Sequence, residues 1–235
     1  MTQPITRREA IQRLGLVGLG AAASACGGGE SATGSDGGAI DIPSSCILTP
    51  RQPAGPYFLD TGLDRRNITE GLPGAPLTVR IQLVDVDLAC EPISDAIVEV
   101  WHSDVDGVYS GFTTEEGNLA DVPDETFLRG FQATDRSGRV EFETIYPGWY
   151  PIRTIHIHAT ALLGDGEQVT MQLYFDQTTN DQIMSMPAYA GRGPQQTRNE
   201  DDRLSANTRD DLMFDVTEDG DRLVASYLVG VSRAV

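Results

Sequence analysis

The stretch Leu77-Thr78-Val79-Arg80-Ile81-Gln82-Leu83 alternates apolar and polar side chains with a period of two residues. Successive side chains of a β-strand point to opposite faces, so this alternation predicts a strand that buries one face in a core. Turn sequences such as Ser137-Gly138 and Asp219-Gly220-Asp221 separate further stretches of strand length. These stretches are residues 96–102, 139–145, 155–163, 169–175 and 223–231. Many short strands between Gly and Pro turns predict an all-β fold, either a sandwich or a barrel.

A polar stretch towards the C-terminus interrupts this pattern. Residues 176–207 contain scattered Pro and Gly and no strand-like alternation. They predict long loops with a short helix, and loops of this length commonly form the walls of a pocket.

The composition describes an acidic chain of 235 residues. Lys and Arg together number 17 against 35 Asp and Glu, which gives a net charge of -18. The phosphates of a nucleic acid would be repelled by such a charge, so we expect no nucleic-acid partner. Hydrophobic residues make up 40% of the sequence, which is enough for one substantial core.

The first 26 residues have the features of an export signal. Arg7 and Arg8 precede a short apolar stretch, residues 14–25, that is too short to span a bilayer. The paired arginines resemble the signal of the Tat route, and residues 23–26 resemble a lipoprotein cleavage site with Cys26 as the lipidated residue. We therefore expect an exported protein, either held in the bacterial cell envelope by that lipid or released to the periplasm or the exterior. The alternative is an N-terminal helix of the domain.

A low-complexity segment follows the expected signal. Residues 27–41 consist largely of Gly, Ser, Ala and Thr, a composition that predicts a disordered tether before a folded domain over residues 42–235. Cys46 and Cys90 are the only cysteines of that domain. The sequence leaves open whether they pair in a disulfide or remain buried thiols.

Two of the three histidines in the chain, His156 and His158, lie two residues apart in an expected strand. Side chains at i and i+2 leave the same face of a strand, with alpha carbons about 6.8 Å apart, so both imidazoles could bind one metal ion. A His-x-His pair alone is weak support, because two solvated histidines on a strand are the ordinary alternative. The neighbouring motifs therefore decide how the pair is interpreted.

Five short motifs follow one another along residues 46–235. They are Gly55-Pro56-Tyr57, residues 98–109, Phe127-Leu128-Arg129-Gly130, residues 144–158 and Gln172-Leu173-Tyr174-Phe175. In content and order they resemble the intradiol ring-cleavage dioxygenases, the family that includes the protocatechuate and catechol dioxygenases. Each motif is modest alone, but chance poorly explains all five in order.

The resemblance implies a β-sandwich with long active-site loops that holds Fe(III) by two tyrosines and two histidines. Carried over onto this sequence, the ligands are Tyr109 and His158 in equatorial positions and Tyr150 and His156 in axial positions. Phenolate oxygen suits a hard trivalent ion, whose charge favours ionisation of tyrosine despite an ordinary pKa of about 10.

The resemblance also implies a reaction. A small aromatic diol of the catechol type would be cleaved with O2 between its hydroxyls, giving a muconate-type diacid. Tyr150 would accept protons from the substrate, Arg153 would favour its oxyanion, and Gln172 would hydrogen-bond substrate or intermediate. Simple alternation places Arg153 and His156 on opposite faces, so we expect a bend at the start of this strand.

Alternative assignments remain at this stage. Tyr146 is a rival for the position of Tyr150, which we prefer because it matches the Pro-Gly-x-Tyr arrangement of the family. We expect Tyr146 to pack at a strand end and His102 to be structural. His156, His158 and a carboxylate could instead hold Zn(II) or Fe(II). A non-catalytic cell-surface binding module on the same sandwich is the alternative function.

The chain also departs from the better-known members of the family. Only five residues separate Tyr150 from His156, where cytosolic members carry a longer insertion, and the helical N-terminal dimerisation segment of catechol dioxygenases is missing. Together with the export signal, these differences resemble an exported branch of the family. The substrate stays open among catechol, hydroxyquinol, protocatechuate and lignin-derived phenols.

Overall fold

The computed structural model describes Ile40 and residues 45–233. The expected export signal with Cys26, and all of the expected tether except Ile40, lie outside these residues. Within the described part of the chain, no helix is both long and apolar enough to cross a lipid bilayer.

The described residues form strands that build two sheets. In chain order the strands are β1 (Pro76–Asp85), β2 (Glu91–Pro92), β3 (Ile97–Trp101), β4 (Arg129–Ala133), β5 (Arg139–Ile145), β6 (His156–Leu162), β7 (Gln168–Tyr174), β8 (Asp215–Asp219) and β9 (Arg222–Val231). In the larger sheet β1 pairs in parallel with β9 and antiparallel with β2 and β5, and β8 pairs with the far side of β9. The second sheet is antiparallel, in the order β4-β3-β6-β7.

One hydrophobic core joins the two sheets. Val79 and Ile81 of β1 belong to the same buried cluster as Val100 of β3 and Ile157 of β6. Each of these side chains is at most 1% exposed, and full burial of such a side chain contributes about 1.5–3 kcal/mol relative to exposure. The expected all-β class is confirmed, and the shared core makes the fold a sandwich.

The outer face of the four-stranded sheet is buried as well. His156 and His158 point away from the core that holds Ile157, yet each is only 2% exposed. The segment before β1 runs over this face, where the backbone N–H of Gln52 donates to the carbonyl oxygen of Thr170 on β7 at 2.8 Å. A second buried face lined by polar side chains gives a site a place outside the apolar core.

Helices within residues 45–233 are few and short. The loop region after β7 contains α1 (Gln177–Met184) and α2 (Pro187–Ala190), and the 3-10 turns are Val86–Leu88, Thr114–Glu116 and Asp210–Leu212. The carboxylate of Asp176 caps α1 by accepting the backbone N–H of Thr179 at 2.9 Å. The prediction of long loops with a short helix is confirmed, with one additional short helix.

A disulfide joins Cys46 to Cys90, which answers the question left open by the sequence. Their alpha carbons lie 5.8 Å apart across a separation of 44 residues. The bond fastens the first described residues of the domain to the turn between β1 and β2. A cross-link of this span is expected to raise the free energy of unfolding by about 2–4 kcal/mol.

Candidate active site

The two histidines of β6 point towards one place on the outer face of the four-stranded sheet. Their Nε2 atoms lie 3.0 Å apart. The Nδ1 atom of His156 lies 2.6 Å from the carbonyl oxygen of Thr154. Because a carbonyl can only accept, this Nδ1 carries the proton and the Nε2 of His156 presents a lone pair.

Burial keeps both imidazoles neutral. Burial first, and then the charge of Arg153, lower the pKa of His156 to about 3. The pKa of His158 is lowered well below its ordinary value by burial and then by His156. Neutral imidazoles are the form that binds metal ions.

Two tyrosines from separate loops reach the same place. The hydroxyl of Tyr150 lies 3.1 Å from the Nε2 of His156 and donates to its lone pair. The ring of Tyr109 lies 5.6 Å from that of Tyr150 and 6.1 Å from that of His158, measured between centroids. The structure therefore brings the four predicted ligands together: Tyr109, Tyr150, His156 and His158.

Tyr109 and Tyr150 differ in exposure and bonding. Tyr109 is fully buried, and its hydroxyl makes no hydrogen bond of ordinary geometry to any described residue. Burial, followed by the neighbouring Tyr150, raises the pKa of Tyr109 well above its ordinary value. Tyr150 is partly exposed, and burial raises its pKa to about 12. A fully buried phenol beside two neutral imidazoles fits a bound hard cation.

The composition of this donor set limits the choice of metal. Within the described residues, no group of three or more His, Cys, Asp and Glu side chains could hold a metal ion. The structure thus offers no carboxylate to complete a zinc or ferrous site with His156 and His158. Phenol oxygens are the remaining donors, and they favour a hard trivalent ion.

Arg153 lies beside the donors because the chain bends before β6. The strand begins only at His156, and Ile152 has a left-handed backbone with a φ of 67°. The bend expected at this point is therefore present. The guanidinium of Arg153 donates to a carboxylate oxygen of Asp202 at 2.9 Å, to the side-chain oxygen of Gln172, and to the hydroxyl of Tyr174 at 3.4 Å.

Gln172 lies directly across from His158 in the pairing of β6 with β7. Its side chain is fully buried, its oxygen accepts from Arg153, and its amide donates to the carbonyl oxygen of Pro53 at 2.9 Å. In this arrangement Gln172 holds Arg153. Its predicted hydrogen bond to substrate stays a prediction.

Comparison with known families agrees with this constellation. A family model described as "Dioxygenase" matches residues 54–220, a range that contains all four predicted ligands and most of the chain. The chain belongs to the intradiol ring-cleavage dioxygenases. The resemblance of the five motifs to that family is thereby confirmed.

Relatives of this chain include proteins of known structure. An intradiol ring-cleavage dioxygenase from Tetranychus urticae is 32% identical, with a TM-score of 0.72 over 80% of this chain and 95% of that chain. The dioxygenase domain of a dioxygenase and carbohydrate-binding protein fusion from Streptomyces sp. SirexAA-E is 28% identical, with a TM-score of 0.60 over 80% of this chain and 100% of that chain.

A curated relative is the protocatechuate 3,4-dioxygenase beta chain of Burkholderia cepacia. It is 33% identical over 164 residues, which are 64% of this chain and 63% of that relative. The chain therefore matches less than two thirds of the length of the curated relatives first found.

Sequence reasoning missed one residue of the candidate site, Asp202. It is 1% exposed, and besides Arg153 it accepts the backbone N–H of Thr154 at 2.8 Å. Burial alone would raise the pKa of Asp202, but the N–H of Thr154 and the charge of Arg153 lower it below its ordinary value. Asp202 therefore remains ionised and, together with Gln172, fixes the guanidinium.

Tyr146 and His102, the two other residues considered near the site, have structural roles. Tyr146 is fully buried in the core, where its hydroxyl donates to the side-chain oxygen of Asn180 at 2.7 Å. His102 uses both ring nitrogens, at 2.8 Å from the carbonyl oxygen of Ser103 and 2.7 Å from the hydroxyl of Thr144. The expectations that Tyr146 packs at a strand end and that His102 is structural are confirmed.

Two glycines permit close approach of the backbone around the donors. A β-carbon on Gly55, whose φ is +75°, would lie 3.3 Å from the Cε1 atom of His158. A β-carbon on Gly148 would lie 2.3 Å from the carbonyl oxygen of Val105. Gly55 thus lets the segment before β1 cover His158, and Gly148 lets the turn before Tyr150 pack on the loop that leads to Tyr109.

Proposed function

We propose that this protein is a non-haem Fe(III) enzyme that cleaves a catechol-type ring with O2 between its hydroxyls and yields a muconate-type diacid. The observation that carries the proposal is the convergence of two phenols and two neutral imidazoles at one buried place, where the phenol of Tyr109 makes no hydrogen bond of ordinary geometry to any described residue. Relatives named as intradiol dioxygenases support the same general reaction.

The donor set assigns each ligand. Fe(III) would be held by Tyr109, Tyr150, His156 and His158, and it would supply the Lewis acidity that makes a bound catechol ring reactive towards O2. Tyr109 is the permanent ligand, because it is fully buried and the side chain of Asn118 fixes both its backbone N–H and its carbonyl oxygen. Tyr150 is the ligand nearest solvent, since it alone of the four is partly exposed.

Tyr150 also provides a base for the substrate. Burial raises its pKa to about 12, so its phenolate form binds a proton strongly at neutral pH. A catechol must lose its hydroxyl protons to bind as a dianion, and the oxygen of Tyr150 lies beside the donors to receive one. In this structure the hydroxyl of Tyr150 is protonated and donates to the Nε2 of His156, which shows that the phenol can carry a proton at this place.

Arg153 supplies a fixed positive charge next to this site. Its guanidinium is held between Asp202 and Gln172 and is 13% exposed. A charge fixed in this way stabilises a substrate oxyanion, and the negative charge that develops during ring opening, without reorganising at each turnover. The rings of Tyr57, Trp101 and Tyr109 form an apolar cluster on another side of the site and would orient the flat substrate.

The alternative function makes a different geometric prediction. A non-catalytic binding module on the same sandwich would leave at least one of the four donors displaced from the others. The distances between the rings and polar atoms give that alternative no support.

Visible spectroscopy tests the proposal directly. Purified protein loaded with Fe(III) should absorb visible light through tyrosinate coordination, and anaerobic addition of catechol should shift that band. Admission of O2 should then consume catechol and release a ring-opened diacid, detected by mass spectrometry. A colourless protein after iron loading, or one that turns over catechol equally well with zinc, would contradict the assignment.

We also propose that the protein works outside the cytoplasm, carried there by the Tat-type signal and held by a lipid on Cys26. The sequence of residues 1–26 supports this, and so does the disulfide between Cys46 and Cys90, because structural disulfides persist in oxidising compartments. Mass spectrometry of the protein from its native membranes should find a chain that begins at a lipid-modified Cys26. A full-length chain beginning at Met1 in the cytosol would oppose the proposal.

A further inference from the structure

Arg129 lies on the same sheet face as the candidate site but belongs to none of its predicted groups. Cross-strand pairs place four residues in one row across the sheet, namely Arg129, Trp101, His158 and Gln172. Residues directly opposite each other in a sheet share a face. Arg129 is 1% exposed and is among the largest fully buried side chains of the described residues.

The guanidinium of Arg129 binds two separate chain segments. Its Nη1 donates to the carbonyl oxygen of Tyr57 at 2.8 Å. Its Nη2 donates to the carbonyl oxygen of Ser110 at 2.7 Å, and its Nε donates to the hydroxyl of Ser110 at 2.9 Å. The planar fork thus joins the segment before β1 to the loop that carries Tyr109, in a geometry that a lysine could not reproduce.

Arg129 holds these segments without a carboxylate partner. None of the ion pairs among the described residues includes it. Its charge lies 5.5 Å from the centroid of the Phe112 ring, and burial lowers its pKa to about 10, which leaves it protonated at neutral pH. A buried cation costs free energy that an apolar side chain of similar size would not, so packing alone does not account for an arginine here.

The two segments joined by Arg129 hold the stacked rings beside the donors. The rings of Tyr57 and Tyr109 lie 4.5 Å apart and are inclined by 17°. The side chain of Asn118 fixes the backbone of Tyr109 through two bonds, of 3.0 and 2.8 Å. The hydroxyl of Tyr109 makes no hydrogen bond of ordinary geometry to any described residue and interacts only with the neighbouring Tyr150, so backbone and stacking contacts do most to position its ring.

We propose that Arg129 is a positioning residue of the metal site, which fixes Tyr109 as a ligand through the carbonyl oxygens of Tyr57 and Ser110. This inference rests on the proposed iron-binding function. The two residues at the ends of the row across the sheet then have similar roles. Arg129 fixes the loop of Tyr109, and Gln172 holds Arg153.

The test compares Arg129→Met and Arg129→Lys with a matched control, Arg80→Met. Arg80 lies on β1 in the other sheet, where it pairs with Glu141. Hydrogen exchange of the metal-free protein should show loss of protection in peptides covering residues 54–58 and 104–118 for both Arg129 variants. Their affinity for Fe(III), measured by competition with a chelator, should fall about 10- to 100-fold, as is typical when a group supporting a ligand is removed. The control should match wild type in both measurements.

Each outcome bears on the proposal. Wild-type exchange and iron affinity in a folded Arg129→Met protein would overturn it. If that variant does not fold, Arg129→Lys decides, because full iron affinity with a lysine would show that charge without the fork is sufficient. If wild type itself binds no Fe(III), the proposed function fails. The exchange data on metal-free protein then still show whether Arg129 holds the loop.

Discussion

His158 is stacked on Trp101, with ring centroids 4.9 Å apart and planes inclined by only 7°. The two residues lie directly opposite each other on β6 and β3. The indole therefore fixes the plane of an imidazole whose Nδ1 atom has no hydrogen-bond partner among the described residues. Packing on Trp101 thus helps to orient His158, one of the proposed metal ligands.

Substitution of Trp101 tests that role. Trp101→Phe keeps a ring against His158 and removes a buried indole N–H that lacks a partner, so we expect a loss of about 1 kcal/mol and a protein that still binds iron. Trp101→Ala removes the stacked ring and should cost about 3–5 kcal/mol. Urea unfolding and iron content measure both effects. Equal iron retention in folded Ala and Phe variants would argue against orientation by stacking.

Tyr109→Phe and Tyr146→Phe form a matched pair, since both tyrosines are fully buried. Tyr109→Phe removes a proposed ligand, so iron binding and visible colour should be lost while the fold is retained. Tyr146→Phe removes a hydrogen bond to Asn180 in the core and should cost about 1 kcal/mol while leaving the colour unchanged. A fully coloured and active Tyr109→Phe protein would refute the ligand assignment.

The strands that the sequence predicted are those whose two faces differ in polarity. All six predicted stretches coincide with observed strands to within two residues at each end. The three that were missed lack a regular apolar alternation: β2 has two residues, β4 begins with Arg129 and Gly130, and β8 is an exposed edge strand with Asp at both ends. These segments become strands because they pair with neighbouring strands in the fold, and their local sequence does not predict that pairing.

The predicted donors could be found from the sequence because they lie in short motifs. The contacts that support these donors could not be found in this way. Asp202 contacts Arg153 across 49 positions, and Trp101 meets His158 across 57. Contacts at such separations depend on strand register and loop path. Asp202 is also one of 35 acidic residues, so composition gave no reason to choose it.

Arg153→Ala should keep the colour and reduce the rate. The side chain is not among the donors, but its charge is fixed beside them by Asp202 and Gln172. We expect kcat to fall about 100-fold, in the range seen when one stabilising donor is removed from an active site. Arg198→Ala is the control, because Arg198 pairs with Asp181 at the surface. The steady-state rate of catechol oxidation tests this prediction. An unchanged rate in Arg153→Ala would show that Arg153 has no role in the mechanism.

The stability of the metal-free protein should rise with pH between about 4 and 6.5. Burial lowers the pKa of His102 to about 4 and that of His156 to about 3, and it lowers that of His158 well below its ordinary value. In this window the unfolded chain binds protons that the folded chain does not, so acid favours unfolding. Each histidine contributes at most about 1.4 kcal/mol per pH unit.

Urea unfolding at several pH values measures this slope. His102→Gln is the informative variant because His102 is not a proposed ligand. This substitution should reduce the slope of the free energy of unfolding against pH by the contribution of one histidine. If the free energy of unfolding of the wild-type protein did not change between about pH 4.5 and about pH 6.5, that result would contradict neutral, buried imidazoles at these positions.

Ile152 combines a left-handed backbone with a side chain that is 82% exposed, one residue before Arg153. For a β-branched residue this conformation costs about 1–2 kcal/mol, and an exposed side chain recovers little of that by burial. Ile152→Gly should therefore raise the free energy of unfolding by about 0.5–1 kcal/mol, after allowing for the larger entropy of glycine in the unfolded chain. Leu88→Gly, at an exposed residue without positive φ, should instead lower it.

Because glycine also loosens the bend that aims Arg153 inward, kcat/KM for catechol should fall in Ile152→Gly while the visible spectrum is kept. A stabilised variant with unchanged kcat/KM would show that this strain contributes nothing to the position of Arg153.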